Sequence, residues 1–365
     1  MNSLIDRVVS TTSNVSDHRR EALVGALIGT AVGDALGLPM EGLSARRQEK
    51  LFPKPLRHQF MGRYGMVSDD TEHTFMVAQS LLEFPADRRM FQRRLAHRLK
   101  WWLAALPAAV GWATLRAILK LWVGIPAHRS GVFSAGNGPA MRSALLGVYF
   151  ANDPKRRREF VTASSEVTHR DPRAITGALA VAETATWMML ASEDTNLLLT
   201  TLAEIGGDAE WSALVTAMRE ALHDAEPVRL FARRIGCVDR VTGYAYQSVP
   251  VAIYTALRHR ADFSAALSEA IGCGGDTDSM GAIAGALVGT RVGLAGIPRD
   301  WREGIVDFPL NPALLCHVAE EMDCQITGLR VPGPVRFFWP AVPLRNLVFL
   351  AVVLAHGFRR LLPPY

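Results

Sequence analysis

Apolar positions recur along this chain at the spacing of helices, and strict strand-type alternation is scarce. Phe75, Ala78, Gln79 and Leu82 share one helical face after Ser68. Glu21–Leu38 carries small or apolar residues on most faces, and Ile175–Met189 is an alanine-rich stretch of the same period. Leu214–Leu222, Val249–Leu257 and Phe263–Ile271 continue the pattern. The prediction is an all-α fold, a compact single-domain bundle of many helices.

Two glycine ladders interrupt this apolar background. Gly25, Gly29, Gly33 and Gly37 recur every four residues, as do Gly281, Gly285 and Gly289. Each glycine costs a helix roughly 1 kcal/mol against alanine, so close backbone approach must compensate, which predicts two buried central helices. A small-residue membrane dimer is the rival explanation, and Asp34 and Arg291 argue against it. Pro and Gly cluster in Val331–Pro343, around Phe337-Phe338-Trp339-Pro340. This reads as a linker into an apolar C-terminal helix, Leu344–Leu361, packed on the body. Its Arg359-Arg360 end keeps a membrane-surface role open. The expected organisation is an N-terminal arm at 1–20, a catalytic body at 21–310 and a C-terminal extension at 311–365, with no internal repeat.

The chain has 365 residues, 49% apolar and 21% charged, which excludes disorder as the default. Its net charge is +5, unevenly placed. Arg88–Tyr149 holds ten basic residues and no acid, leaving the rest of the chain net negative. Such a field favours an anionic ligand, or belongs to a solvated helix face. No nucleic-acid-binding motif accompanies it. The cysteines at 237, 273, 316 and 324 have no zinc-type spacing. With no apolar signal segment in Met1–Arg20 and no uncharged apolar window of about 18 residues, a cytoplasmic protein without a membrane span is expected. Leu347–Ala355 is only nine residues.

The sharpest local chemistry is Ser68-Asp69-Asp70-Thr71. Taken alone, this is a good helix start, a serine cap with acids in the first turn. Gly274-Gly275-Asp276-Thr277-Asp278-Ser279 repeats the arrangement at the head of the second glycine helix. Two such starts on buried helices would gather four carboxylates, which need cations or hydrogen bonds. The donor set is all oxygen, which suits Mg²⁺ or Mn²⁺ ahead of zinc. Two metal ions clamped between two acidic helix starts follow from the pairing.

The chain resembles the ADP-ribosylglycohydrolase family in five blocks, in the family's order. These are Gly25 to Gly37 (GALIGTAVGDALG), Ser68 to Glu72 (SDDTE), Gly136 to Arg142 (GNGPAMR), Thr168 to Pro172 (THRDP) and Gly274 to Ser279 (GGDTDS). Gly243-Tyr244 followed by Val249-Pro250 resembles the segment before the last block. The likeness runs from about residue 21 to Trp301. Ser68 and Ser279 stand where many members have threonine, and Pro139 is less usual in its block. The resemblance implies an all-α globule with a binuclear Mg²⁺ or Mn²⁺ centre in a central cleft. Ser68, Asp69 and Asp70 would bind on one side and Asp276, Asp278 and Ser279 on the other, with Asp278 bridging. The ions would hold the ribose hydroxyls and orient a water. Glu41, shortly after the first block, would sit on a loop over the substrate and assist the leaving group.

That chemistry stands on its own terms. An N-glycosidic bond breaks through an oxocarbenium-like state that needs a positioned water, a base and an acid. Asp69 or Asp70 could be the base. Gly136, Asn137 and Gly138 could cradle a diphosphate with backbone amides, or form an ordinary turn. Ser134 could add a hydroxyl. His169 could line the ribose pocket or serve structurally, Tyr244 could stack on adenine or sit in the core, and Arg142 reads as an ion-pair partner rather than a phosphate ligand. The expected activity is hydrolysis of mono-ADP-ribosyl-arginine on a protein substrate, with ADP-ribose as product. Arginine is favoured over serine because the blocks look closer to bacterial arginine-directed members. Such an enzyme could protect against an ADP-ribosyltransferase toxin, which residues 1–20 could touch. The alternatives are an immunity protein that blocks such a toxin by contact and a metal-dependent nucleotide phosphohydrolase.

Overall fold

The computed structural model describes residues 2–52, 54–331 and 333–362, with side chains from His18 onward. Among them every regular element is a helix, joined only by isolated bridges. The stretches of helical period all fall inside observed helices, including Asp69–Glu83, Pro172–Met189, Ala209–His223, Ala245–Arg258 and Phe263–Gly272. Many begin at an aspartate whose carboxylate accepts from an amide of the first turn, as Asp87, Asp171, Asp208 and Asp262 do.

At the centre, helices Asn2–Gly37 and Thr277–Val292 run antiparallel with their glycine faces in contact. A Cβ on Gly29 would lie 2.1 Å from the Gly285 carbonyl oxygen, and one on Gly33 would lie 1.9 Å from that of Gly281. Gly25 meets Gly289 in the same way, and Gly37 meets Thr277. The glycines are therefore spent on backbone-to-backbone packing. Pro172–Met189, Ala245–Arg258 and Phe263–Gly272 pack around Thr277–Val292, and Pro312–Thr327 packs on Asn2–Gly37. Leu315, Val318, Ala319 and Met322 carry Pro312–Thr327 into the main core.

The register of this seam sets the position of the chemistry. The C-terminal end of the first glycine helix meets the N-terminal end of the last, where Thr277 Oγ1 donates to the Gly37 carbonyl at 2.8 Å. Glu41 and Asp276–Ser279 are thereby delivered to the same end of the bundle.

Helix Asn2–Gly37 continues through residues 2–20, where the arm was expected; the side chains of 1–17 lie outside the described residues. The linker is tied down at Val335, whose amide and carbonyl bond both ends of the Gln79 amide at 2.8 Å. The C-terminal helix is Ala341–Arg360 and touches the body with one face only, through Arg345, Asn346 and Phe349. Among the described residues two helical stretches are long and apolar enough to cross a membrane: His18–Met40, whose most apolar window is wholly buried, and Ala341–Arg360, whose most apolar window is 11% buried. The uncharged apolar run Leu347–Ala355 is nine residues, and the helix extends beyond it through Arg345 and Asn346.

Candidate active site

The site is built on Asp34. This carboxylate sits on the first glycine helix, is fully buried, and accepts from the Ser68 amide at 2.9 Å and the Thr71 amide at 3.1 Å. The Thr71 hydroxyl adds a third bond at 2.5 Å. Asp34 thus caps helix Asp69–Glu83 from a neighbouring helix, while Ser68 caps it locally. Burial pushes the Asp34 carboxyl up to about 6, against the pull of these hydrogen bonds. The sequence reading placed Asp34 in a motif without giving it a role.

Beside this clamp lies a cavity of about 320 Å³. Glu41, Asp69, Asp70, Ser134, Gly136, Asn137, Gly138, His169, Asp276, Asp278 and Ser279 line it, eleven of the thirteen residues singled out from the sequence. The two acidic helix starts meet directly, because the Ser279 hydroxyl donates to Asp70 Oδ2 at 3.2 Å. Asn137 Nδ2 donates to Asp276 Oδ2 at 2.5 Å and to Ser248 at 3.1 Å, and so orients the Asp276 carboxylate. Asp70 Oδ1 and Asp278 Oδ1 are buried with no hydrogen-bond partner. Burial, reinforced by the neighbouring carboxylates, drives Asp69, Asp70 and Asp278 well above the usual carboxylate range. Burial and the charge of Asp276 raise Glu41.

The opposite wall is the Gly136–Gly138 loop laid on the His169 ring. A Cβ on either glycine would come within 3.0 Å of that ring. His169 is buried, its Nδ1 pairs with the Thr168 hydroxyl at 2.9 Å, and burial beside Arg142 lowers it to about 3. The Asn137 amide is committed to the Gly243 carbonyl at 2.9 Å, so it is not one of the amides offered to the cavity.

Ser68 and Tyr244 do not line the cavity. The Tyr244 hydroxyl donates to Glu210 at 2.8 Å, and Arg173 lies over its ring. The aromatic ring on the cavity wall is Trp112, 71% exposed, which the sequence reading missed. It follows a loop in which Leu106 and Ala109 hold positive φ of 57° and 59°. Non-glycine residues accept such strain mainly where the surroundings impose it, often at ligand clamps. Arg142 is fully buried and bonds neutral groups, Ser164, Thr168 and His73, rather than a carboxylate. Its ion-pair assignment is corrected accordingly. Burial lowers it to about 10, and the field of Asp69 opposes that fall.

Behind Asp70, Glu72 accepts from Trp102 Nε1 at 2.6 Å and from Arg345 at 3.1 Å. Arg345 also forks onto both oxygens of Asp307, at 2.9 and 2.6 Å. The C-terminal helix therefore braces the first turn of helix Asp69–Glu83 from 273 residues away. At its other end Arg360 donates to the carbonyls of Glu41 and Pro39, each at 2.8 Å, and holds the Glu41 loop.

The family model described as ADP-ribosylglycohydrolase matches residues 15–327. The chain belongs to the ADP-ribosylglycohydrolase family. It is a hydrolase of ADP-ribosyl linkages, as the family acts on ADP-ribosylated substrates and releases ADP-ribose. An uncharacterised protein of Archaeoglobus fulgidus is 33% identical over 79% of this chain and 92% of its own length. The ADP-ribosyl-[dinitrogen reductase] glycohydrolase of Rhodospirillum rubrum is 23% identical over 76% and 88%. ADP-ribosylhydrolase ARH3 of Gallus gallus is 26% identical over 82% and 93%. A solved chain described as an ADP-ribosylglycohydrolase-related protein complex superposes with a TM-score of 0.62 at 25% identity, covering 84% of this chain and 98% of that one.

For this glycohydrolase the donor chemistry of the cavity matters most. Four aspartates and the Ser279 hydroxyl face one another across it, and two of their buried oxygens lack any partner. Hard divalent cations fit such a set. Among the described residues, no group of three or more His, Cys, Asp or Glu side chains is placed so that it could hold a metal ion.

Proposed function

We propose that this glycohydrolase cleaves the N-glycosidic bond of mono-ADP-ribosylated protein, with ADP-ribosyl-arginine as its substrate and two Mg²⁺, or Mn²⁺, as cofactors. The carrying observation is the meeting of Asp70 and Ser279 in a cavity where Asp70 Oδ1 and Asp278 Oδ1 are buried without partners. Uncompensated carboxylates of this kind are costly unless a cation balances them. Ser68, Asp69 and Asp70 would hold the ions from one side, and Asp276, Asp278 and Ser279 from the other. Bound there, the ions would engage the ribose hydroxyls and lower the pKa of the attacking water. Asp70 is already tied to two serine hydroxyls, so Asp69 is the better-placed proton acceptor. Glu41, whose carboxyl is raised by burial and by the charge of Asp276, is the group proposed to protonate the leaving group. Trp112 offers an exposed face for adenine, and His169 and Ser134 border the ribose side.

The name of the Rhodospirillum rubrum relative supports a protein-bound substrate, and the arginine linkage rests on the block likeness to bacterial members. Erasing the mark of an ADP-ribosyltransferase toxin is one use of this chemistry. The test is incubation of the purified protein with arginine-linked and serine-linked ADP-ribosyl proteins, with Mg²⁺ or with EDTA. Release of free ADP-ribose from the arginine linkage, lost in EDTA, is expected. Release from serine alone would overturn the acceptor, and activity unchanged by EDTA would overturn the cofactor. Inorganic phosphate or a nucleoside monophosphate as product would identify a phosphohydrolase instead. Toxin neutralisation by Asp70→Ala protein would identify a contact inhibitor.

A further inference from the structure

We propose that helix Ala341–Arg360 docks on an anionic lipid surface, lying in the interface with its outer face among the acyl chains. The helix follows the family-matched region, which ends at 327. One side of it holds the body, through Arg345, Phe349, His356 and Arg360. The other side carries Leu344, Leu347, Ala351, Leu354 and Phe358, spaced three and four residues apart, so they form one stripe. All five are exposed, Leu344 and Phe358 to more than two-thirds. A continuous apolar stripe along a helix belongs against a protein core or in lipid. The first candidate span, His18–Met40, meets that rule with its most apolar window wholly buried, whereas only 11% of that window is buried in Ala341–Arg360. The Arg345 and Arg360 contacts hold the helix along the protein, which favours an interfacial position over a spanning one.

Charge selects lipid over a second copy of the chain. From Cys324 to Tyr365 there are five arginines and no Asp or Glu, of which Arg345 pairs with Glu72 and Asp307 and Arg330 with Glu321. The turn packed beside the helix at Phe60 and Met61 belongs to another acid-free stretch, Lys50–Ser68, and presents Arg63 exposed next to Met61. Two copies meeting through this face would set the exposed basic residues around it, Arg63 and Arg359, against their own counterparts. Anionic headgroups complement them. Phe338 and Trp339, exposed just before the helix, add aromatic residues of the kind that settle at headgroup depth.

The test is sedimentation of the full chain with phosphatidylcholine vesicles and with vesicles of phosphatidylcholine and phosphatidylglycerol at about 7:3. Binding to the mixed vesicles at least tenfold above phosphatidylcholine alone is expected, together with a tenfold loss in Leu347→Glu/Leu354→Glu. Both positions are exposed, so the variant keeps its fold and its hydrolase activity. Wild-type protein that stays in the supernatant with both vesicles overturns the proposal, as does a variant that sediments like wild type. A dimer in solution that the double substitution dissociates, with no vesicle binding, assigns the face to a second copy.

Discussion

Replacing Gly29 with alanine tests the central claim that the glycine ladders exist for backbone contact. The new Cβ would stand 2.1 Å from the Gly285 oxygen and 2.7 Å from its carbonyl carbon, against an ordinary contact of 3.4 Å or more. Both neighbours are backbone, so no rotamer change can relieve the clash. The helices must part by roughly 1.3 Å locally, and a radial gap of 0.5–1 Å already forfeits about a quarter to a half of each dispersion contact. Overpacking a close-packed core costs typically about 1–3 kcal/mol, and loss of contact along the rest of the seam adds to that. The expected destabilisation is about 3 kcal/mol or more, which at about 2 °C per kcal/mol for a chain of this size lowers Tm by about 6 °C. Gly272→Ala is the control, because nothing lies within 4 Å of its Cβ position, and it should leave Tm unchanged or slightly raised. Scanning calorimetry of the two variants decides the matter. A Gly29→Ala protein melting within about 1 °C of wild type would refute the seam argument.

Four further outcomes follow from the site. Asp70→Asn should reduce ADP-ribose release at least about 100-fold, yet melt no lower than wild type in EDTA, since it removes one charge from a buried like-charged cluster; a lower Tm in EDTA would count against that cluster. The rise in Tm caused by Mg²⁺ should be largest near pH 8 and fade toward pH 5. Its carboxylate ligands, raised by burial, hold protons that compete with the metal as pH falls, whereas the neutral buried His73 and His169 affect the loaded and EDTA-treated samples alike. Arg345→Met should cost about 3–5 kcal/mol, because Glu72 and Asp307 are left as buried charges without their cation; urea unfolding measures it. Trp112→Ala should raise KM about tenfold with kcat nearly unchanged, since base stacking is worth about 1–3 kcal/mol, and an unaltered KM would remove the ring from the substrate site.

Most of the bundle was legible because helix periodicity and small-residue spacing are local signals. Gly25 to Gly37 and Gly281 to Gly289 announced their own contact, since the cost of glycine in a helix demands a partner. The acidic residues were legible for a similar reason: two identical helix starts, each ordinary alone, become costly when buried together. What escaped were roles conferred by distant partners. Asp34 gave no sign that it caps a helix 34 residues away. The Glu72–Arg345–Asp307 network spans most of the chain, and no local pattern joins its members. From its segment Tyr244 could stack on adenine or sit in the core; its hydroxyl is held by Glu210, and the ring that lines the cavity is Trp112.

The antiparallel glycine seam also sets when the two acidic helix starts can meet. Asp70 and Ser279 are 209 residues apart, and a ribosome adding about 5–20 residues per second needs roughly 10–40 s to travel from one to the other. Throughout that interval the growing polypeptide carries one acidic helix start without the other. The two therefore meet only after the second ladder has been made.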